Sequence, residues 1–547
     1  MRYTAAAAAG ALALAWSAAT QNVVSLDLGR GIPGIRGGPP PRTPLSKRDF
    51  HAGSINNNIT GGGYYMDVQV GTPGQPMTMV LDTGSSDVWF LSYQADLCTS
   101  KSLQNRYGDT CGPTFNPTKS STYGVKVRDG FGITYIDGTS ATGSYIIDNL
   151  RINGVTVESQ QMGMAIHVVR GVGILGVGFQ QNVAAAVKYP TIIDSLADQG
   201  LINSRAFSLY LNDRRTQTGT LLLGGVDKSK FIGPLHVLPI MLDGTRYTHY
   251  EVAMSSLSTT YSNGTKVPLS TTVVGAILDS GSTLSYLPDD IATPLFNELG
   301  VYTDFKTSGF SMIDCDLLNS EPDLVVTFGF GGSQAPGGGN AFTISVPVTE
   351  LVLDLLSAYG DITAGAPFEN VCLFGVQSSG GGFGGGSSND TADVLILGDT
   401  FLRSAYVVYD QDHHQLGIAQ ANLNATGPSD IQELTSAGSS LPSLTGVSAQ
   451  QTPSPSTSSS SSTRTRTSTS RSGGSSTTTT SRGAATNNPS QSGTESGAGG
   501  GAQNTGSASP SPSGSAASSV RAGGADAMAV AVVAGVFAVL GGALFML

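Results

Sequence analysis

The sequence predicts an all-β protein built as two similar lobes with a cleft between them, and three observations carry that expectation. Short runs rich in Val, Ile, Thr and Tyr are cut repeatedly by Gly, Pro, Asn and Asp, the pattern of short strands joined by tight turns. Helical periodicity is scarce; only Thr191 to Gln199 and Ile291 to Leu299 read as helices. An apolar strand also runs twice into an Asp-hydroxyl-Gly-hydroxyl turn, at Met79-Val80-Leu81-Asp82-Thr83-Gly84-Ser85 and at Ala276-Ile277-Leu278-Asp279-Ser280-Gly281-Ser282. Each copy has a later apolar-apolar-Gly partner, Gly173-Ile174-Leu175-Gly176 and Val394-Leu395-Ile396-Leu397-Gly398. Such a repeat implies a duplicated lobe with a pseudo-twofold axis between two carboxylates.

From the N-terminus, Met1-Arg2, the apolar run Ala5 to Trp16 and the small residues Ser17-Ala18-Ala19 read as a signal peptide over 1–19. The Gly/Pro-rich segment 20–48 ends in Leu45-Ser46-Lys47-Arg48 and reads as a propeptide with a dibasic processing site at Lys47 and Arg48. Residues 49–225 form the first lobe, with strands expected at Tyr65 to Val70, Met77 to Leu81, Ser144 to Ile147 and Leu221 to Leu223. Residues 226–423 form the second, with a strand at Ala405 to Tyr409. The segment 424–519 is expected to be a Ser/Thr-rich stalk, because runs such as Ser458 to Ser462 and Thr477 to Thr480 hold too little apolar surface to offset their ordering entropy. In 520–547 the tail Ala527 to Leu547 is apolar with no basic flank after it, and small residues Ser513 to Ser518 lie upstream. That is the layout of a GPI-attachment signal; a spanning helix is the alternative, which the length alone permits.

Composition narrows the function classes. The 547-residue chain carries a net charge of −11, and the first 48 residues hold six basic side chains and one acidic one, so processing deepens the acidity. An acidic surface argues against a nucleic-acid partner. Cys98, Cys111, Cys315 and Cys372 form an even set in a chain marked for export. Of the three possible pairings, Cys98–Cys111 with Cys315–Cys372 is favoured, since each bond closes a loop within one half. No Cys-x-x-Cys or His cluster accompanies them, so neither a metal site nor a cofactor is expected. Sequons at Asn58, Asn263, Asn389 and Asn424 mark candidate glycosylation sites.

Two carboxylates about one hydrogen bond apart cannot both ionise, so they share a proton. The ionised partner can take a proton from water while the other donates to a carbonyl oxygen, which is what peptide hydrolysis requires. The neighbours then acquire roles. Gly84 and Gly281 let backbone N–H groups approach the carboxylates, Ser85 and Ser282 can bond their outer oxygens, and Thr83 and Ser280 can cross-link the two turns. Glycosidase carboxylates, by contrast, need separations of about 5 Å or more and no such symmetry.

Asp-Thr-Gly-Ser-Ser-Asp-Val-Trp at 82–89, Asp-Ser-Gly-Ser-Thr at 279–283, Ile-Leu-Gly-Val-Gly-Phe at 174–179 and Ile-Leu-Gly-Asp-Thr-Phe at 396–401 resemble the pepsin-type aspartic endopeptidases. The match runs from about Tyr64 to Ala421; with the GPI-type tail it is similar to the fungal yapsin-like branch. The resemblance implies the bilobal pepsin-like fold and acid-optimal hydrolysis of peptide and protein substrates by a secreted monomer. It further implies attachment to the outer face of the plasma membrane or to cell-wall glucan. Ile133 to Thr139 resembles the flap that closes over substrate, which makes Tyr135 the flap tyrosine, Trp89 its hydrogen-bonding partner, and Asp137 and Gly138 the tip. Ser280 stands where pepsins usually have Thr, and the family's frequent third disulfide is missing. Yapsin-like enzymes often favour basic residues, helped by acidic loops, yet the Cys98–Cys111 loop holds Lys101, Arg106 and a single acid, Asp109. A catalytically dead fold used for surface binding or adhesion is the competing reading, and the two intact turns weigh against it.

Overall fold

The computed structural model describes residues 23–30, 63–107, 109–135, 139–216, 218–304, 309–336, 338, 340–354, 356, 365–379 and 394–449. The signal peptide, Lys47, Arg48, Asn58, the flap-tip residues Asp137 and Gly138, Asn389, and everything from 450 onward, including the anchor signal, lie outside the described residues. Among the described residues no helix is long and apolar enough to cross a membrane.

Strands dominate, as period-two burial dictates. In Tyr64–Val70 the side chains of Tyr64, Met66, Val68 and Val70 are buried while Asp67 and Gln69 are exposed. One sheet of thirteen strands forms the spine. Its order is Phe231–Pro239, Gln415–Ala421, Ala405–Asp410, Ala206–Tyr210, Thr218–Leu223, Val24–Arg30, Tyr64–Val70, Gln75–Asp82, Gly173–Gly176, Val88–Leu91, Val155–Val168, Ser140–Ile152 and Gly124–Thr134. The region expected as the second lobe thus supplies three strands to a sheet that continues into the first lobe. A second sheet is centred on Glu251–Thr260, Val274–Leu278 and Leu395–Leu397. The second lobe also has a four-stranded sheet containing Val371–Phe374, whose Cys372 bonds Cys315; Cys98 bonds Cys111 in the first.

The two expected helices are present, at Ile192–Asp198 and Asp289–Leu299. The first begins on a capping box in which the Thr191 hydroxyl and the Asp194 carboxylate reciprocally satisfy backbone N–H groups. Two more short helices, Asp96–Thr99 and Lys101–Tyr107, fill the Cys98–Cys111 loop.

Two segments outside the expected lobes join the fold. Val24–Arg30, inside the segment read as a propeptide, pairs antiparallel with Thr218–Leu223 over six residues and buries Val24, Leu26 and Leu28. Residues 424–449 do not begin the stalk. Ile431–Glu433 pairs with Gly225–Asp227, Thr445 and Val447 bridge to Pro234 and Ile232, and Leu434, Leu441 and Leu444 are buried against Phe231, Leu235 and Tyr406. The average composition of 424–519 concealed these three leucines, which hold the first part of the segment onto the fold.

Candidate active site

Asp82 ends the strand Gln75–Asp82, which runs parallel to Gly173–Gly176 with Asp82 opposite Gly176. Asp279 follows Val274–Leu278, which runs parallel to Leu395–Leu397. Each Asp turn is therefore braced by its own apolar-apolar-Gly strand. The Val177 N–H donates to the Asp82 carbonyl at 3.0 Å, and the Asp279 N–H donates to the Leu397 carbonyl at 3.0 Å.

The side chains repeat the symmetry. Asp82 Oδ1 accepts from the Gly84 and Ser85 N–H groups at 2.8 and 3.1 Å, and Oδ2 from the Ser85 hydroxyl at 2.5 Å. Asp279 Oδ1 accepts from the Gly281 N–H at 2.8 Å, and Oδ2 from the Ser282 hydroxyl at 2.7 Å. The two turns face each other so closely that a Cβ on Gly84 would sit 2.6 Å from Asp279 Oδ1, and one on Gly281 would meet Asp82 Oδ1. Only glycine fits at either place.

Crossed hydroxyl bonds tie the turns together. The Thr83 hydroxyl donates to the Leu278 carbonyl at 2.8 Å and accepts from the Ser280 N–H at 2.9 Å. The Ser280 hydroxyl donates to the Leu81 carbonyl at 3.0 Å and accepts from the Thr83 N–H at 3.3 Å. All four groups are buried, so the cross-link resists competition from water.

Asp82 and Asp279 are 5 and 8 % exposed, and each carboxyl lies against the glycine of the other turn. Burial first, and then the Asp279 charge, push the Asp82 carboxyl up from 3.8 to about 7, against the pull of Ser85 and Gly84. The pair is thus disposed to hold one proton between two oxygens and to present an acid and a base together.

Above the pair, Trp89 Nε1 donates to the Tyr135 hydroxyl at 2.7 Å, the contact anticipated for the flap. Tyr135 lies between the long strands Gly124–Thr134 and Ser140–Ile152, and its N–H donates to the Thr139 carbonyl at 2.8 Å. Burial and the Asp82 charge push its phenol well above 10, so it remains a proton donor throughout the working range.

Sequence reasoning missed several supports. Asp87, fully buried, accepts from the Tyr145 and Tyr189 hydroxyls at 2.9 and 2.6 Å and from the Ala184 N–H at 2.6 Å. Its place two residues before Trp89 was the available signal, but its partners lie 58 to 102 residues away. Asn182 donates to the Gly84 carbonyl at 3.3 Å, and half-buried His249 feels the charge of Asp279. Among the described residues Cys315, Cys372 and Asp354 converge, but both sulfurs are spent in the disulfide and offer no thiolate to a metal. Of the sequons, Asn263 lies exposed after Glu251–Thr260, with its Oδ1 accepting from the Thr265 N–H, and Asn424 is half-buried.

The family model for eukaryotic aspartyl proteases matches residues 63–421, a span containing both Asp turns and both bracing strands. The chain belongs to the eukaryotic aspartyl protease family. This aspartyl protease is 36% identical over 439 residues to the probable aspartic-type endopeptidase opsB of Aspergillus fumigatus, covering 78% of this chain and 81% of that one. It is 31% identical to secreted aspartic protease 3 of Candida albicans, over 70% of this chain and 84% of the relative. The crystal structure of the aspartic proteinase from Irpex lacteus shares its fold, with a TM-score of 0.51 at 20% identity over 74% of this chain and 99% of that one. The chain is an aspartic-type endopeptidase with the pepsin-like two-lobed architecture.

Proposed function

We propose that Asp82 and Asp279 are the catalytic pair, sharing one proton and activating a water between them for attack on a peptide carbonyl. The observation that carries this reading is the close approach of two buried carboxyls, each within van der Waals reach of the other turn's glycine, on turns cross-linked by Thr83 and Ser280. The ionised carboxylate removes a proton from water as the oxygen attacks, and the protonated carboxyl gives its proton to the carbonyl oxygen. A tetrahedral diol forms. Its collapse breaks the C–N bond, passes a proton to the leaving amine through the pair, and returns the pair to its single-proton state. Gly84, Ser85, Gly281 and Ser282 hold the carboxyl planes throughout. Tyr135, fixed by Trp89, closes the site from above, and the flap-tip role of Asp137 and Gly138 rests on the family resemblance of Ile133 to Thr139 alone.

The raised Asp82 carboxyl supports working pH on the acidic side, where one proton is retained. The leader 1–19, the dibasic Lys47-Arg48 and the tail 520–547 support a secreted zymogen of the yapsin-like kind, held by a GPI anchor at the membrane or wall on a stalk that begins after residue 449. Its substrates are extended peptide and protein segments, and it acts as a monomer. Glycans on Asn58, Asn263, Asn389 and Asn424 fit an exported chain. The test is incubation of the chain processed after Arg48 with a mixed peptide library at acidic pH, with and without pepstatin. Mapped cleavages that pepstatin abolishes support the reading, and intact peptides from folded, processed protein refute it.

A further inference from the structure

A groove of about 470 Å³ is lined by Phe179, Tyr247, His414, Gln180, Gln181 and Gln411, with Asp194, Arg205, Thr245 and Arg246 around them. None of these side chains belongs to the carboxyl pair, its turns or the flap. We propose that this groove is a binding site for a neutral saccharide, a hexose-based segment of a glycan.

Three features of the lining select that chemistry. The first is a near-parallel aromatic group. Tyr247 and His414 stack at 3.9 Å between centroids and 18° between planes, and Phe179 lies 6.2 and 6.4 Å from them at 29° and 13°. An outer face of this half-buried Tyr247–His414 stack, set beside buried Phe179, suits the C–H face of a pyranose chair, whose C–H groups make a weakly apolar surface. The second is an inner wall without net positive charge. Arg205, the cation of the groove's inner wall, already donates to Asp194 Oδ1 at 3.0 Å, to Asp412 Oδ1 at 3.3 Å and to Asp198. With three carboxylates around one guanidinium, that wall has no spare positive charge for an anion. Arg246 is exposed and remains in water.

The third feature is the supply of planar amides. Gln411 is 7 % exposed, and its Nε2 donates to the Gly178 carbonyl at 3.1 Å and the Tyr250 hydroxyl at 2.7 Å. Those bonds hold the side chain still and leave its carbonyl oxygen as an acceptor. Gln180 and Gln181 each bring a donor and an acceptor on the same amide. Hydroxyl groups of a sugar both donate and accept, so each can pair with such an amide without burying a charge. A site that couples fixed amides to an aromatic face discriminates by ring geometry rather than by charge.

The ligand has two sources, wall polysaccharide and the glycans of glycoprotein substrates, and the experiment separates them. Calorimetric titration of the processed enzyme is run with a linear glucose hexamer, an α-linked mannose trimer and a hexuronic acid oligomer, each up to about 10 mM. Saturable binding of a neutral oligosaccharide, with Kd at or below about 1 mM, is expected. Glucan binding points to the wall, and mannose binding points to glycoprotein substrates. Tyr247→Ala should weaken binding at least about tenfold, as should Gln181→Ala, whose exposed position makes it safe for folding, and neither should change cleavage of an unglycosylated peptide. The proposal is overturned if no neutral oligosaccharide binds, if only the hexuronate binds, or if both variants bind as the parent does. Since peptide cleavage is read separately, failure here leaves the catalytic reading standing, and failure there leaves this one standing.

Discussion

At the level of single residues, activity turns on where one proton resides. The ordinary carboxyl value of 3.8 applies to Asp82 in the unfolded chain, whereas in the fold it is raised to about 7. Between those values the native state binds more protons at this group than the unfolded state, so its contribution to stability is fully present below 3.8 and is lost as pH climbs through about 7. Asp82→Asn should flatten that part of the stability profile, measured by chemical denaturation at pH 4 and pH 7, while lowering kcat by about 10²- to 10⁴-fold or more. Ser280 offers a second case. Ser280→Ala removes a bond to the Leu81 carbonyl and an acceptor for the Thr83 N–H, both buried, and should cost about 1–3 kcal/mol with a fall in kcat. Ser280→Thr retains the hydroxyl and should keep near-parent activity in the same assay. These positions were legible in the sequence because the chemistry is local: Asp, hydroxyl, Gly and hydroxyl follow one another in the chain. Asp87 was not, because the tyrosines that bond it become neighbours only on folding.

Among elements, the bracing strands and the flap show what a pattern can and cannot convey. Gly173–Gly176 and Leu395–Leu397 were expected from their apolar-apolar-Gly repeat, and each lies parallel beside its Asp strand. Parallel neighbours cannot be joined by a tight hairpin, which is why the partners stand so far apart in sequence. The flap tether was legible only through the family resemblance, because Trp89 and Tyr135 carry no local sign of each other. Trp89→Phe removes the 2.7 Å bond and should lower kcat/KM for peptide substrates by several-fold, with a stability loss of about 0.5–1.5 kcal/mol beyond that of repacking. Unchanged kcat/KM would detach that bond from flap function. The strap 424–449 was hidden for another reason. Its three leucines are sparse within a long polar segment, and nothing local says that they bury against Phe231 and Tyr406. Truncation after residue 423 should lose several kcal/mol, at about 1.5–3 kcal/mol per buried Leu as an upper range, and truncation after 449 should lose none. Thermal melts of the two chains compare them directly.

For the whole molecule, the central sheet draws strands from the beginning, middle and end of the chain, so neither half is self-contained. Lobe boundaries drawn from the repeat therefore describe the duplicated Asp units rather than independent folding units. Within the second lobe, Arg403 and Glu350 form a fully buried ion pair between the short helix Val348–Leu351 and the turn before Ala405–Asp410. Arg403→Leu strands the Glu350 carboxylate and should cost about 3–5 kcal/mol, seen as a lower denaturation midpoint. Because Val24–Arg30 is paired within the sheet yet lies upstream of Lys47-Arg48, the proposed cleavage at the dibasic site would sever a strand of this spine from the rest of the chain.

The shared proton is tested most directly by kcat/KM of the processed Asp279→Asn chain at acidic pH, on a peptide that the parent cleaves. A neutral amide at 279 can take no proton from water, so a loss of about 10²- to 10⁴-fold or more is expected with the fold intact. Parent-like cleavage by that variant would contradict it.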